Sequence, residues 1–252
     1  MTGGQIALLL LAAMAAGWVD AVVGGGGLLQ LPALLLAGLT PVEALATNKS
    51  ASVLGTASAA YTYARRTGVD RRIAIPAGVA ATLSAAGGAL LAALLDPAFL
   101  KPLIIVILVG VAAFVALRPS FGAVADFGRR TRARIVAVVL VAGGLIAFYD
   151  GLIGPGTGTF LIIAFTSIIG MDFVHASATA KIINMGTNIG AITVFALQGH
   201  VVWALGLAMG VANIAGAQLG ARMALKRGAG FVRVVLLTVV SALVLRLGWD
   251  LM

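Results

Sequence analysis

The chain has no cysteine, which excludes a disulfide framework, a thiolate metal site and a catalytic thiol. Histidine is nearly absent too: His175 and His200 stand alone, so no metal cluster and no metal or other cofactor is expected. Charge is scarce, at 10% of 252 residues, where a soluble domain carries about a quarter. The sequence is instead 61% hydrophobic, with a mean hydropathy of +1.11. The apolar residues form long runs broken by short charged or Gly/Pro-rich segments. Since a membrane-spanning helix takes about 20 such residues, the length suits roughly eight to ten of them and leaves no room for a soluble catalytic domain. The net charge of +9 does not indicate nucleic-acid binding, because the basic residues sit between apolar runs. The first run, Ile6 to Val23, lacks a basic flank and reads as a retained span, not a cleaved signal peptide.

Internal repetition organises the rest. Glu43-Ala-Leu-Ala-Thr-Asn-Lys49 aligns with His175-Ala-Ser-Ala-Thr-Ala-Lys181, and the same offset carries Gly78-Val-Ala80 onto Gly210-Val-Ala212 and Gly88-Ala89 onto Gly220-Ala221. Upstream, a two-residue shift brings Asp20 onto Asp150 and Gly24 onto Gly154. Each half reads as five apolar segments, roughly 5–23, 27–40, 42–63, 73–95 and 100–117, then 134–150, 157–170, 173–197, 200–223 and 231–249. The second segment of each half is short and follows a glycine break, Gly24–Gly27 or Gly154-Pro-Gly-Thr-Gly158.

If the short segments cross the bilayer, loops Ala64–Arg72, Arg118–Arg134 and Arg222–Arg233 share one side and hold 13 of the 17 Lys and Arg residues. Such asymmetry marks the cytoplasmic side. Five crossings per half is an odd number, so the expected fold is an all-α polytopic membrane protein made of two inverted repeats. Residues 1–117 form the first repeat, 118–133 a basic cytoplasmic linker, and 134–252 the second repeat, with both termini outside. Inverted repeats with broken helices place a substrate site near the midplane.

Ionisable groups inside apolar segments are costly and mark candidate sites. Lys49 and Lys181 occupy matching places, too deep to reach the interface comfortably. They read as two cations facing an anion path; the alternative is a purely structural ion pair. Asp20 and Asp150 end the first segment of each half and serve either as lysine partners or proton carriers, or as helix-end carboxylates on backbone N–H groups. The inverted topology predicts pairing across the halves, Asp20 with Lys181 and Asp150 with Lys49.

The half-helix starts at Gly26 and Gly27, and at Gly156, Thr157 and Gly158, offer N–H groups to an anion. They lack the Lys-Ser/Thr of a nucleotide loop. Small-residue packing is the competing reading. Thr47, Asn48, Asn184 and Asn188 complete a polar stripe with the lysines, or else bond between helices. Glu43 and His175 are expected at the interface, and His200 in a loop.

These motifs are similar to those of the TauE/SafE family of membrane permeases. The resemblance rests on Gly24–Gly27 with Pro32, Gly38 and Pro41, on Ala46-Thr-Asn-Lys49, on Asp150 through Gly158, on Ala178–Lys181 with Asn184 and Asn188, and on Gly220-Ala-Arg222. It covers nearly the whole chain. The family is associated with export or uptake of sulfite and organosulfur anions, and the resemblance implies secondary transport in a prokaryotic inner membrane without fixing the substrate; the Gly154-Pro-Gly-Thr-Gly158 form suggests a less characterised branch. A sulfite, sulfonate or related oxyanion is the expected substrate, with proton or cation coupling expected through Asp20 and Asp150. The expected partners are a small anionic substrate and the lipid bilayer; a homo-oligomer is compatible with the sequence, and nucleic acid is not a partner. A reading from another class is a non-transporting membrane scaffold or biogenesis partner. No nucleophile–base pair or close acid dyad indicates an enzyme.

Overall fold

The computed structural model describes residues 1–100, 102, 103, 106 and 131–250. The expected linker, apart from 131–133, and most of the expected segment 100–117 lie outside the described residues. Every regular element among the described residues is helical. The first half gives α1 (Gly3–Val23), α2 (Gly27–Leu36), α3 (Pro41–Thr67) and α4 (Arg71–Leu94). The second gives α5 (Arg132–Leu152), α6 (Thr157–Ile169), α7 (Phe173–Leu197) and α8 (Trp203–Gly228). A non-helical Gly228 then starts a last helix over 229–250.

Local chemistry fixes these boundaries. Thr40 caps α3 in a box with Glu43, with Pro41 in the first turn where its missing N–H costs nothing. Asp172 caps α7 at the matching place, accepting from the N–H groups of Val174 and His175. Glycines in the left-handed region end α1 at Gly24 and α6 at Gly170. A shift of 132 residues carries the start of α3 onto that of α7 and the start of α4 onto that of α8. For α2 and α6 the shift is 130. The two extra residues therefore lie between the start of α6 and that of α7. The short segment of the first half is shorter than the sequence pattern suggests, because Gly38 (φ 92°) follows its end at Leu36. In α5 the run Val141–Ile146 is π-helical, a feature that α1 lacks.

Glycine and alanine set the packing. Asn213 reaches Ala13, Gly216 meets Met14, and Gly220 meets Trp18 and Ala21, so α1 and α8 run parallel. Ser50 meets Gly206, Leu54 meets Gly210 and Gly55 meets Asn213, so α3 is parallel to α8 as well. The same pairing recurs with the halves exchanged. Gly143 meets Ala77 and Gly151 meets Ala85 between α5 and α4, while Gly186 meets Gly78 and Gly190 meets Thr82 between α7 and α4. The first and third helices of each half thus pack on the fourth helix of the other. Close approach through small residues is how helices associate where burial in water gives no driving force.

Five of these helices are long and apolar enough to cross a membrane: α1, α4, α5, α7 and α8. The 27-residue α3 is long enough but too polar along its length to join them. Large apolar side chains such as Leu8, Leu83, Leu145 and Val211 are exposed on the outside. That pattern suits lipid and would be a liability in water. The chain is a multi-pass helical membrane protein.

Candidate functional site

Lys49 is the ninth residue of α3 and Lys181 the ninth of α7. Each therefore stands about 12 Å along its helix, well away from its start. Lys181 is wholly buried and Lys49 is 3% exposed. The cost of holding a bare ammonium there is several kcal/mol, so a partner is required. Lys49 Nζ lies 2.8 Å from Asp150 Oδ1, and Lys181 Nζ lies 2.8 Å from Asp20 Oδ2. Each lysine is thus neutralised by the aspartate of the other half, the crossed pattern anticipated above. Each aspartate also accepts from a hydroxyl: Asp150 from Thr157 at 2.7 Å, and Asp20 from Thr56 at 3.4 Å.

The helix breaks hold these groups together. Gly24 and Gly158 touch backbone to backbone, and a Cβ on either would collide with the other. The Thr159 hydroxyl donates to the Val23 carbonyl at 2.9 Å, tying the second break to the end of α1. At Gly154 the backbone has φ 90°, and a Cβ there would sit 3.1 Å from Lys49 Nζ. Only glycine meets both demands.

Between the pairs is a cavity of about 30 Å³, room for at least one water molecule. Asp20, Lys49, Asp150, Asn48, Asn184 and Asn188 line it, together with Ser52, Thr56, Thr157 and four glycines of the two breaks: Gly24, Gly27, Gly154 and Gly158. The Oδ1 atoms of Asn48 and Asn184 are buried without a hydrogen-bond partner. Buried polar atoms are normally satisfied, and a turn of the amide would present a donor in place of the acceptor. Both asparagines, residues of the cavity lining, therefore retain unused hydrogen-bonding capacity.

Some of the residues singled out from the sequence lie elsewhere. The Thr47 hydroxyl accepts from the Val202 N–H at 3.2 Å, joining α3 to the start of α8 outside the cavity. Gly26 packs against Ala16 and Asp20, and Gly156 is the left-handed cap of α6; neither lines the cavity. Lys181 does not line it either and acts on it through Asp20. Glu43 caps its own helix, while His175 is exposed and pairs with Asp172. His200 lies between α7 and α8.

One polar network escaped the sequence reading. Asn213 Nδ2 donates to Gln30 Oε1 at 3.0 Å and to the Ala13 carbonyl at 3.1 Å, and Gln30 Nε2 donates to the Asn48 carbonyl at 3.3 Å. A search keyed to repeated residues passes over it, because Phe160 and Ala81 hold the corresponding places in the other half. The usable signal was a lone amide within an apolar run.

Comparison with known proteins agrees with this architecture. The family described as "Sulfite exporter TauE/SafE" matches residues 9–247. A probable membrane transporter protein ORF9 of a Sinorhizobium species is 38% identical over 242 residues, covering 96% of this chain and 92% of that protein. The probable membrane transporter protein YfcA of Escherichia coli K12 is 34% identical over 248 residues, covering 97% and 90%. A probable membrane transporter protein of Haemophilus influenzae is 32% identical over 228 residues, covering 90% and 88%. No solved structure matches the chain. The chain belongs to the TauE/SafE family, whose relatives are named as membrane transporters and not as enzymes.

Proposed function

We propose that this TauE/SafE-family protein is a secondary transporter of a small anion, with sulfite, a sulfonate or a related organosulfur oxyanion as its substrate class. It works by alternating access in a prokaryotic inner membrane. The observation that carries the reading is the pair of buried lysines, each balanced by an aspartate of the other half beside a helix break. A scaffold has no use for two deep cations set against two opposed half-helix starts. The cavity is small, about 30 Å³, beside the roughly 300–1,000 Å³ of common ligand pockets. Widening of this site to admit the substrate is part of the proposed cycle.

The halves act as inverted repeats. Support comes from the packing: α1, α3 and α8 run parallel to one another, as do α4, α5 and α7, so each helix of one half has its repeat partner in the other set. The connection of only three residues between α3 and α4 turns the chain back on itself, which sets the two groups antiparallel. The basic ends of α3 and α8 then face the cytoplasm and the N-terminus lies outside.

Charge balance favours proton coupling. Two lysines and two aspartates sum to zero, so an entering monoanion brings one uncompensated negative charge into a buried space. It must also compete with a carboxylate for the ammonium. Protonation of Asp20 or Asp150 removes both obstacles, freeing a lysine for the substrate while the site stays neutral. One proton therefore accompanies each negative charge of the substrate. Asn48, Asn184, Asn188 and the starts of α2 and α6 supply hydrogen bonds to its oxygens.

The test is sulfite flux into proteoliposomes under an imposed pH gradient at zero membrane potential. Flux driven by the pH gradient alone supports the reading. Flux that responds to potential but not to pH overturns the proton coupling, and no flux with any oxyanion overturns the transport assignment.

A further inference from the structure

A second cavity, far larger than the first, lies between the C-terminal ends of α3 and α8. Its volume is about 710 Å³, within the range of about 300–1,000 Å³ that holds small ligands. Four cations line it, Arg65 and Arg66 from α3 with Arg222 and Lys226 from α8, and no acidic side chain is among its described lining residues. It is separate from the paired lysines. Arg65 stands nine residues beyond Thr56, which at 3.6 residues per turn is two and a half turns, the opposite face of α3. Gln218 closes the floor by donating to the Ser58 carbonyl and the Thr62 hydroxyl, each at 3.0 Å.

The face of α8 that enters this cavity continues as an apolar strip. Leu207, Val211, Gln218, Arg222 and Leu225 follow one another at three-, four- and seven-residue intervals, so they share one side of the helix. On that side Leu207 is 50% exposed and Val211 67%. From Arg222 back to Val211 is 11 residues, or about 16 Å, comparable to a lipid chain. Tyr61, itself exposed, stands at the rim with Arg65 stacked 4.7 Å from its ring centre. A cationic cup at the end of two helices, beside an apolar strip, matches an amphipathic ligand and not a free anion.

We infer that this groove binds an anionic phospholipid. The phosphate sits among Arg65, Arg66, Arg222 and Lys226, and an acyl chain lies along Val211 and Leu207. Basic recesses between spans are a recurring means of holding acidic headgroups, and two arginines from different helices can engage one phosphate through several N–H donors. Such a lipid would bridge α3 and α8, two helices that belong to different halves.

The test uses the delipidated full-length protein in detergent, titrated with phosphatidylglycerol, phosphatidylcholine, inorganic phosphate or glycerol phosphate while its apparent melting midpoint is followed. Phosphatidylglycerol is expected to raise the midpoint; the zwitterionic lipid and both free phosphates are not. In the Arg222→Gln/Lys226→Gln variant the half-saturating phosphatidylglycerol concentration rises by about tenfold or more. An Arg71→Gln/Arg72→Gln variant, which removes equal charge outside the groove, is expected to titrate like the wild type. Should the first variant fail to fold, Arg65→Gln/Arg66→Gln reads the same face. Equal weakening in the control variant, equal stabilisation by free phosphate, or no preference for the anionic lipid would each overturn the assignment.

Discussion

Asp150→Asn separates a lysine that is merely paired from one that awaits a substrate. The substitution keeps the shape of the side chain and an oxygen able to accept from the Thr157 hydroxyl, now at 2.7 Å. It removes only the charge 2.8 Å from Lys49 Nζ, on a side chain that is 3% exposed. Stranding a buried cation in this way costs about 3–5 kcal/mol, so the apparent melting midpoint should fall sharply. An anion that occupies the site returns RT ln(1 + [L]/Kd), about 2.7 kcal/mol at a hundredfold excess over Kd. In the wild type the anion must first displace Asp150, so its net gain is smaller. Sulfite should therefore raise the midpoint of the variant more than that of the wild type, in a chloride-free buffer at fixed pH. A sulfite response in the variant no larger than in the wild type would refute the reasoning, because Lys49 would then be a structural partner facing no anion path.

Other perturbations probe separate parts of the account. Asn213→Ala removes the donor to Gln30 and should cost about 1–3 kcal/mol without a sulfite rescue; a rescue as large as that of Asp150→Asn would show that any destabilised variant responds. Gly24→Ala forces a Cβ into the Gly158 backbone at a position with φ 77°, so folded yield by size-exclusion chromatography should collapse; near-normal yield would mean that the two breaks do not touch. Exchanging the charges as Lys49→Asp with Asp150→Lys should preserve membrane insertion while abolishing flux, and retained flux would show that only a pair is needed and not its orientation.

The fold was readable because membrane constraints leave few options. The apolar runs fixed helical spans, and the shift of 132 residues between Lys49 and Lys181 matches the shift between the starts of α3 and α7. The crossed pairing was expected from that repeat together with the five segments read in each half, since both aspartates precede a break. Side-chain direction was harder to read. Thr47 sits two residues from Lys49 in a run where every residue looks polar, yet a 200° turn sends it to Val202 and away from the cavity. Gln30 and Asn213 have no counterpart in the other half, so repetition, the strongest guide to the lysines, hid them. The lateral cationic groove depends on the ends of α3 and α8 meeting, which charge counting in loops does not reveal.

The proposed anion path runs past Lys49 and the Asp20 that Lys181 neutralises. Its most direct measurement is radiolabelled sulfite uptake by proteoliposomes containing equal amounts of wild-type protein and Lys181→Ala, with insertion and folding checked by protease accessibility and melting midpoint. The account predicts saturable, pH-gradient-driven uptake by the wild type and background uptake by a correctly inserted variant. Uptake by Lys181→Ala equal to that of the wild type would contradict it.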